Sequence, residues 1–125
     1  MEIRLDLSYS KTHEWVKIEG SIAQIGITDY AQDAMGDIVY VDLPEVGDVV
    51  EVGKTFAEAE SVKAVADINS PISGVVCEIN EELIDSPELI NEKPFDAWLI
   101  KVKDITDTQN LLTSEAYKDF CEENS

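Results

Sequence analysis

Glu14-Trp15-Val16-Lys17-Ile18 alternates polar and apolar positions, Glu19-Gly20-Ser21 interrupts the pattern, and Ile22-Ala23-Gln24-Ile25 resumes it. A period of two broken by glycine predicts a β-hairpin. Thr28 or Asp29 is then placed to cap a helix of about two turns. Its apolar face is Tyr30, Ala31, Ala34 and Met35, and Gly36 supplies a left-handed stop. Strand signals follow at Ile38 to Leu43, Asp48 to Val52 and Thr55 to Glu60, with the Pro44-Glu45-Val46-Gly47 turn and Gly53 between them. They continue from Ala64 to Ile68 and, after the Asn69-Ser70-Pro71 turn and Gly74, from Val75 to Ile79. Ser86-Pro87 predicts the N-cap and first residue of a short helical turn, Ala97 to Val102 one more strand, and Leu112, Ala116 and Phe120 a helical stripe near the C-terminus. The fold class is therefore mainly β, built of hairpins with short peripheral helices and a C-terminal helix.

A length of 125 residues fits one domain, spanning 1–125, with 122–125 expected to fray as a tail. Within it, Gly47 to Val52 echoes Gly74 to Ile79 through matched glycine, valine and glutamate positions. If the two segments are equivalent, a pseudo-two-fold axis passes between them, close to Lys63.

Composition narrows the function classes. Twenty-seven acidic residues against nine basic ones give a formal net charge of -18, which repels nucleic acid phosphates and anionic membranes alike. The same charge speeds encounter with proteins that present basic patches, or simply keeps the chain dispersed. The apolar stretches are strand-sized, below the roughly 18 residues a membrane helix requires. Cys77 and Cys121 are far apart and lack CxxC spacing, so they are read as reduced thiols rather than a metal site or redox pair. The N-terminus has neither a secretory apolar core nor the Arg-rich character of a transit peptide. A bacterial cytoplasm is expected, with a matured mitochondrial form as the alternative.

Ser61-Val62-Lys63 separates two alternating segments, Phe56 to Glu60 and Ala64 to Ile68, and so puts Lys63 at a hairpin tip. A lysine at a turn is ordinarily just a solvated cation. Here the turn lacks the Asn-Gly, Asp-Gly or Gly-Gly pair that eases a tight hairpin, and the small neighbours Ser61 and Ala64 leave room for an enzyme to grip the side chain. Lysine is a poor nucleophile near neutral pH, with a reference pKa of about 10.4, and no motif that would lower it is present. The residue suits covalent attachment better than catalysis.

The run Glu60-Ser61-Val62-Lys63-Ala64, followed by Asp67, Ser70-Pro71 and Gly74, resembles the lipoyl-attachment segment of the glycine cleavage system H protein family. The resemblance covers nearly the whole chain. It includes Tyr9, His13-Glu14-Trp15-Val16, Gly26 to Gln32, Gly36 to Val41, Leu43 to Gly47, Asn80, Pro87 to Asn91 and Trp98-Leu99. Two departures stand out: Pro94-Phe95-Asp96-Ala97-Trp98 is shorter than the family's segment leading to Trp and lacks its glycine, and Thr12 stands where many members have Ser. A biotin carrier is similar in fold but typically flanks its lysine with methionines, whereas Val62 and Ala64 flank it here.

The resemblance implies a lipoyl/biotinyl-type β-sandwich, or flattened barrel, that bears lipoate on Lys63. Amide formation removes the lysine charge and takes the formal count from -18 to -19. It further implies a shuttle with no complete catalytic site, expected to act as a monomer. This shuttle carries an aminomethyl group and reducing equivalents from a pyridoxal-phosphate glycine decarboxylase to a tetrahydrofolate-dependent aminomethyltransferase and a dihydrolipoamide dehydrogenase. A lipoyl ligase or transferase installs the arm. By matched position, Glu14 and Asp67, with Thr12, line the cleft that shelters the loaded arm, and Met35 and Ala31 supply apolar contact. His13, the sole histidine, has no nucleophile or metal-ligand partner in the pattern and is expected to be structural or to meet a partner, while Trp15 and Trp98 are expected in the core. The competing functions are an H-like carrier that relays lipoyl groups to 2-oxoacid dehydrogenases or serves as a target of regulatory modification, and an unmodified β-domain that binds partners.

Overall fold

Two antiparallel sheets enclose the core in a computed structural model that describes residues 1–123 of the chain. In chain order the elements are β1 (Ser8–Tyr9), β2 (Glu14–Glu19), β3 (Ile22–Ile27), α1 (Asp29–Met35), β4 (Ile38–Asp42), β5 (Val49–Val50), β6 (Thr55–Ser61) and β7 (Val65–Asn69). They continue with β8 (Ile72–Ile79), α2 (Glu82–Asp85), α3 (Leu89–Glu92), β9 (Ile100–Thr108) and α4 (Ser114–Glu123). One sheet runs β1-β2-β3-β9-β8-β5 and the other β4-β6-β7. This is the mainly β fold of hairpins with short helices and a C-terminal helix that the pattern predicts, in the sandwich arrangement that the resemblance implies. No helix among the described residues is long and apolar enough to cross a membrane.

Inward positions of both sheets meet in one cluster: Val16, Ala23, Ile25 and Val102 from one side, Val41, Ala57, Ala59 and Ile68 from the other. A second cluster at one end gathers Tyr9, Trp15, Phe95, Tyr117 and Cys121. There Tyr9 stacks on Tyr117 with ring centroids 4.5 Å apart. Trp15 Nε1 donates to the Pro94 carbonyl at 3.0 Å, which satisfies the indole and fixes its ring.

Several elements depart from the pattern. The Asp48 to Val52 segment shrinks to a two-residue strand, whose partner is the segment it echoes: Val49 pairs with Val75 and Val50 with Gly74. That register is centred on the Val62–Lys63 turn, as is the β6–β7 pairing of Glu58 with Asp67. The strand expected from Ala97 begins at Ile100 and runs on to Thr108, because Trp98 and Leu99 bond Asn80 and Ile25 before the ladder starts. The helix expected to start at Ser86-Pro87 has its N-cap at Glu88, although Ser86 and Pro87 carbonyls accept from Leu89 and Ile90. A separate helix, α2, was not predicted; it sinks Leu83 fully into the core. Ala34 is exposed, and Trp98 is only half-buried, with the Lys101 ammonium 4.7 Å above its ring. In α4 the buried residues are Tyr117 and Cys121, one position on from the Ala116–Phe120 stripe, because Tyr117 must reach Tyr9. That helix continues through Glu123; Asn124 and Ser125 of the expected tail lie outside the described residues.

Gly26 sits under the Trp15 ring, where a Cβ would lie 2.5 Å from two ring carbons. The ring cannot retreat, so Gly26→Ala is expected to cost about 1–3 kcal/mol of stability, read from urea denaturation. A variant as stable as the parent would show that the ring has room to move.

Candidate lipoyl-lysine tip and cleft

The hairpin tip is built without glycine. Ser61 N donates to the Ala64 carbonyl at 2.8 Å, closing a loop whose two free residues are Val62 and Lys63. Neither has a positive φ, since His13 and Asp104 are the described non-glycine residues that do. The turn is therefore not one of the primed types that favour glycine. Its stability comes from Ser61, only 6% exposed, whose hydroxyl accepts from Lys63 N at 3.3 Å and Ala64 N at 3.1 Å. Val62 N donates to the Asp37 carbonyl at 3.1 Å, tying the tip to the start of β4.

Lys63 is exposed and takes part in none of the ion pairs among the described residues, which are Arg4–Glu2, Lys17–Glu19 and Lys101–Glu78. Its side chain rests on Gly36, where a Cβ would stand 3.1 Å from Lys63 Cε and 3.7 Å from Nζ. Gly36 ends α1 at φ 81° and ψ -162°, a region that only glycine enters freely. Asn91 holds this corner: its Nδ2 donates to the Gly36 carbonyl and to Gln32 Oε1, both at 2.9 Å, and its Oδ1 accepts from Ile38 N at 2.8 Å. The sequence singles out Gly36 as a helix stop, but it does not reveal Gly36 as the floor beneath the lysine or Asn91 as its support. The signal for Asn91 was its place in the Pro87 to Asn91 run.

Glu14 lies in quite different surroundings from an ordinary strand carboxylate. It is 2% exposed, and its Oε1 accepts from Ser10 Oγ at 2.6 Å and from Thr12 Oγ1. Ser10 Oγ in turn accepts from Glu14 N at 3.0 Å. Burial pushes the carboxyl up from 4.5 to about 7, against hydrogen bonds from Ser10, Thr12 and the Asn69 backbone that favour the ionised form. Thr12, itself exposed, and Glu14 are thus brought together, and Ser10 is a partner that the sequence reading missed. Asp67 is exposed, two residues from Asn69 on the same outward face of β7. Its cross-strand neighbour is Glu58, which faces Asp42 on the other side.

Helix α1 links these two places. Its C-terminal end is the Gly36 corner under Lys63, and its N-cap Thr28 donates its backbone N–H to the His13 carbonyl at 3.1 Å, next to Glu14. Seven residues span about 10 Å. Ala31 and Met35 are half-buried on this helix and pack against the main core. His13 has a structural part here: it stacks on Tyr30 at 4.4 Å, and its Nδ1 lies 2.8 Å from the Tyr117 hydroxyl. That hydroxyl also bonds Thr28 Oγ1 at 2.7 Å. Burial lowers the His13 pKa and raises that of Tyr117, so both remain neutral in this network near neutral pH.

The Glu14 shift has a sign that can be tested. Because the folded carboxyl binds its proton more tightly than the unfolded one, Glu14's contribution to stability falls as pH rises from about 4.5 to about 7 and is level outside that window. Glu14→Gln is expected to remove the slope, leaving the variant more stable by about 3 kcal/mol near pH 8 and unchanged near pH 4. Denaturant melts at the two pH values check it; an equal gain at both would exclude buried charge as the cause.

Residues 7–124 match the sequence model of the family described as Glycine cleavage H-protein. The chain is 54% identical over 121 residues to "Glycine cleavage system H protein 2, mitochondrial" of Arabidopsis thaliana, a match covering 94% of this chain and 78% of that protein. It is 50% identical over 121 residues to "Glycine cleavage system H protein" of Lachnoclostridium phytofermentans, covering 96% and 95% of the two chains. The crystal structure of a glycine cleavage system H protein from Mycobacterium marinum superposes with a TM-score of 0.87 at 38% identity, covering 98% of each chain. Relatives thus include a plant mitochondrial and a bacterial form. With an exposed tip lysine, a buried carboxyl and a match along nearly its whole length, the chain belongs to the glycine cleavage H-protein family, whose members are carriers in the glycine cleavage system and not its enzymes.

Proposed function

We propose that Lys63 is the point at which lipoate is joined to this carrier, and that the cleft running from Gly36 along α1 to Glu14 shelters the far end of the arm. The observation that carries the reading is the state of Lys63: exposed, outside the ion pairs among the described residues, and mounted on a turn fixed by its own backbone and Ser61. An enzyme that attaches lipoate needs a reachable ε-amine on a base that does not give way. The residues present fit the group, since the lysine is exposed and its stem already lies on the Gly36 backbone at the end of α1. When bound, the dithiolane supplies reversible disulfide chemistry and carries the one-carbon amine.

The chain's own residues supply position and charge. Glu14, held by Ser10 and Thr12, offers a desolvated carboxyl to an amine cation, and the cation shifts it towards the ionised form. Asp67, Glu58 and Asp42 form a negative row across the outer face of the second sheet, which deepens the potential that draws an amine there. Ala31 and Met35 line the route with apolar surface. The partners are a pyridoxal-phosphate glycine decarboxylase, a tetrahydrofolate-dependent aminomethyltransferase and a dihydrolipoamide dehydrogenase, met in turn by transient contact, together with the ligase or transferase that installs the arm. A bacterial cytoplasm is the setting we propose, with a matured mitochondrial form as the alternative, since relatives include both kinds.

Two outcomes test this reading. Incubated with lipoyl ligase, lipoate and ATP, the parent chain is expected to gain the mass of one lipoyl group, while Lys63→Arg gains none and is inert in reconstituted glycine cleavage. A lipoylated or active variant would remove Lys63 from the site. Glu14→Gln is expected to accept lipoate normally yet lose its bound amine to hydrolysis about tenfold faster or more, the effect of losing one charge-assisted hydrogen bond. An unchanged lifetime, followed by ammonia release, would take Glu14 out of the cleft.

A further inference from the structure

We infer that Asn91 is the positioning residue of the lipoyl arm: it clamps the Gly36–Ile38 corner that forms the floor beneath Lys63 and the anchor of the tip. This inference rests on Lys63 as the attachment point. The corner touches the tip twice. The Gly36 backbone lies under the lysine stem, and the Asp37 carbonyl receives the Val62 N–H.

Left to itself the corner would be soft. It joins the end of a two-turn helix to a strand whose register shifts between Ile38 and Tyr40, and Gly36 is the residue with the widest choice of conformations. The last carbonyls of a helix also lack partners within it. Asn91 supplies both missing bonds at once, Nδ2 to the Gly36 carbonyl and Oδ1 from Ile38 N, so its amide grips the chain on either side of Asp37. Its second N–H goes to Gln32 in α1, which joins the helix to the same fork. A side-chain amide on a short stem is the group with one acceptor and two donors at that reach. The fork is itself held firmly, because the preceding Ile90 is fully buried in the core. A continuous path therefore runs from the core through Ile90 and Asn91 to the corner and on to the root of the arm. Fixing the root narrows the directions in which a long arm sets out, starting from the Gly36 end of α1.

The experiment uses the full chain, lipoylated, with Asn91→Asp and Asn91→Ala beside the parent. Asp keeps the acceptor for Ile38 N and loses the donors; Ala loses all three bonds. Amide hydrogen exchange at Val62 is expected to quicken by about tenfold in both variants, while the amides of β3 and β9 keep their protection. Compared as fully lipoylated protein, each carrying one lipoyl group by mass, the loaded variants should lose their amine several-fold faster than the parent. If Val62 exchanges faster but the amine survives as long as in the parent, or if protection falls evenly in every strand, Asn91 is structural only and the inference is overturned. A parent chain that takes up no lipoate on Lys63 would overturn the attachment reading as well, so the two failures are distinct.

Discussion

The hydrogen bonds that close the β6–β7 hairpin at Ser61 are the constraint on which the tip and its lysine depend. A two-residue loop without glycine is ordinarily an awkward way to reverse a right-twisted pair of strands. Here the Ser61 hydroxyl accepts the N–H groups of Lys63 and Ala64, and the Ser61 N–H closes on the Ala64 carbonyl. The hydroxyl is buried beneath the turn, so the chain folds over it while Val62 and Lys63 face outward. Replacing those bonds with glycine freedom would let the loop flex, and the base of a carried group would flex with it. Pairing of β4 with β6, and of Asp37 with Val62, then makes the tip part of a three-stranded sheet instead of a free hairpin.

A second arrangement stands at the other end of α1, around Glu14. Burying a carboxyl raises its pKa because the ionised form loses water, and hydroxyl donors recover part of that cost. Glu14 stands close to balance between the two effects, near neutrality. A carboxyl in that condition changes its proton occupancy when a cation approaches, which a fully solvated carboxylate does not. The left-handed turn at His13, the Tyr117 hydroxyl and the Thr28 cap hold the neighbouring backbone and bind it to α4. The C-terminal helix thus braces the backbone beside Glu14 through Tyr117.

Ion pairing contributes little to the stability of this fold. The ion pairs among the described residues involve surface side chains, and exposed pairs of this kind contribute little. The remaining acidic residues give a long-range field that speeds approach to basic surfaces and weakens as salt rises. For a carrier that must visit several enzymes, rapid approach and rapid release matter more than affinity.

The sequence by itself determined the β2–β3 and β6–β7 hairpins, the tip and the lysine upon it, because alternation at period two and turn chemistry are local properties that a few residues settle. It also marked α1 through Thr28 and Gly36. Glu14, Thr12 and Asp67 came from matched position in a family pattern; nothing local sets Glu14 apart from any other carboxylate at a strand start. Its burial arises because Ser10, Thr12 and the backbone at Asn69 close over it, and desolvation is set by what packs around a group. Likewise the face of α4 is chosen by the stacking of Tyr117 on Tyr9, and the start of β9 by bonds from Trp98 and Leu99 to distant residues. Asn91 meets Gly36 across 55 positions of sequence, and only the folded chain brings a side-chain amide and a helix end together at bonding distance.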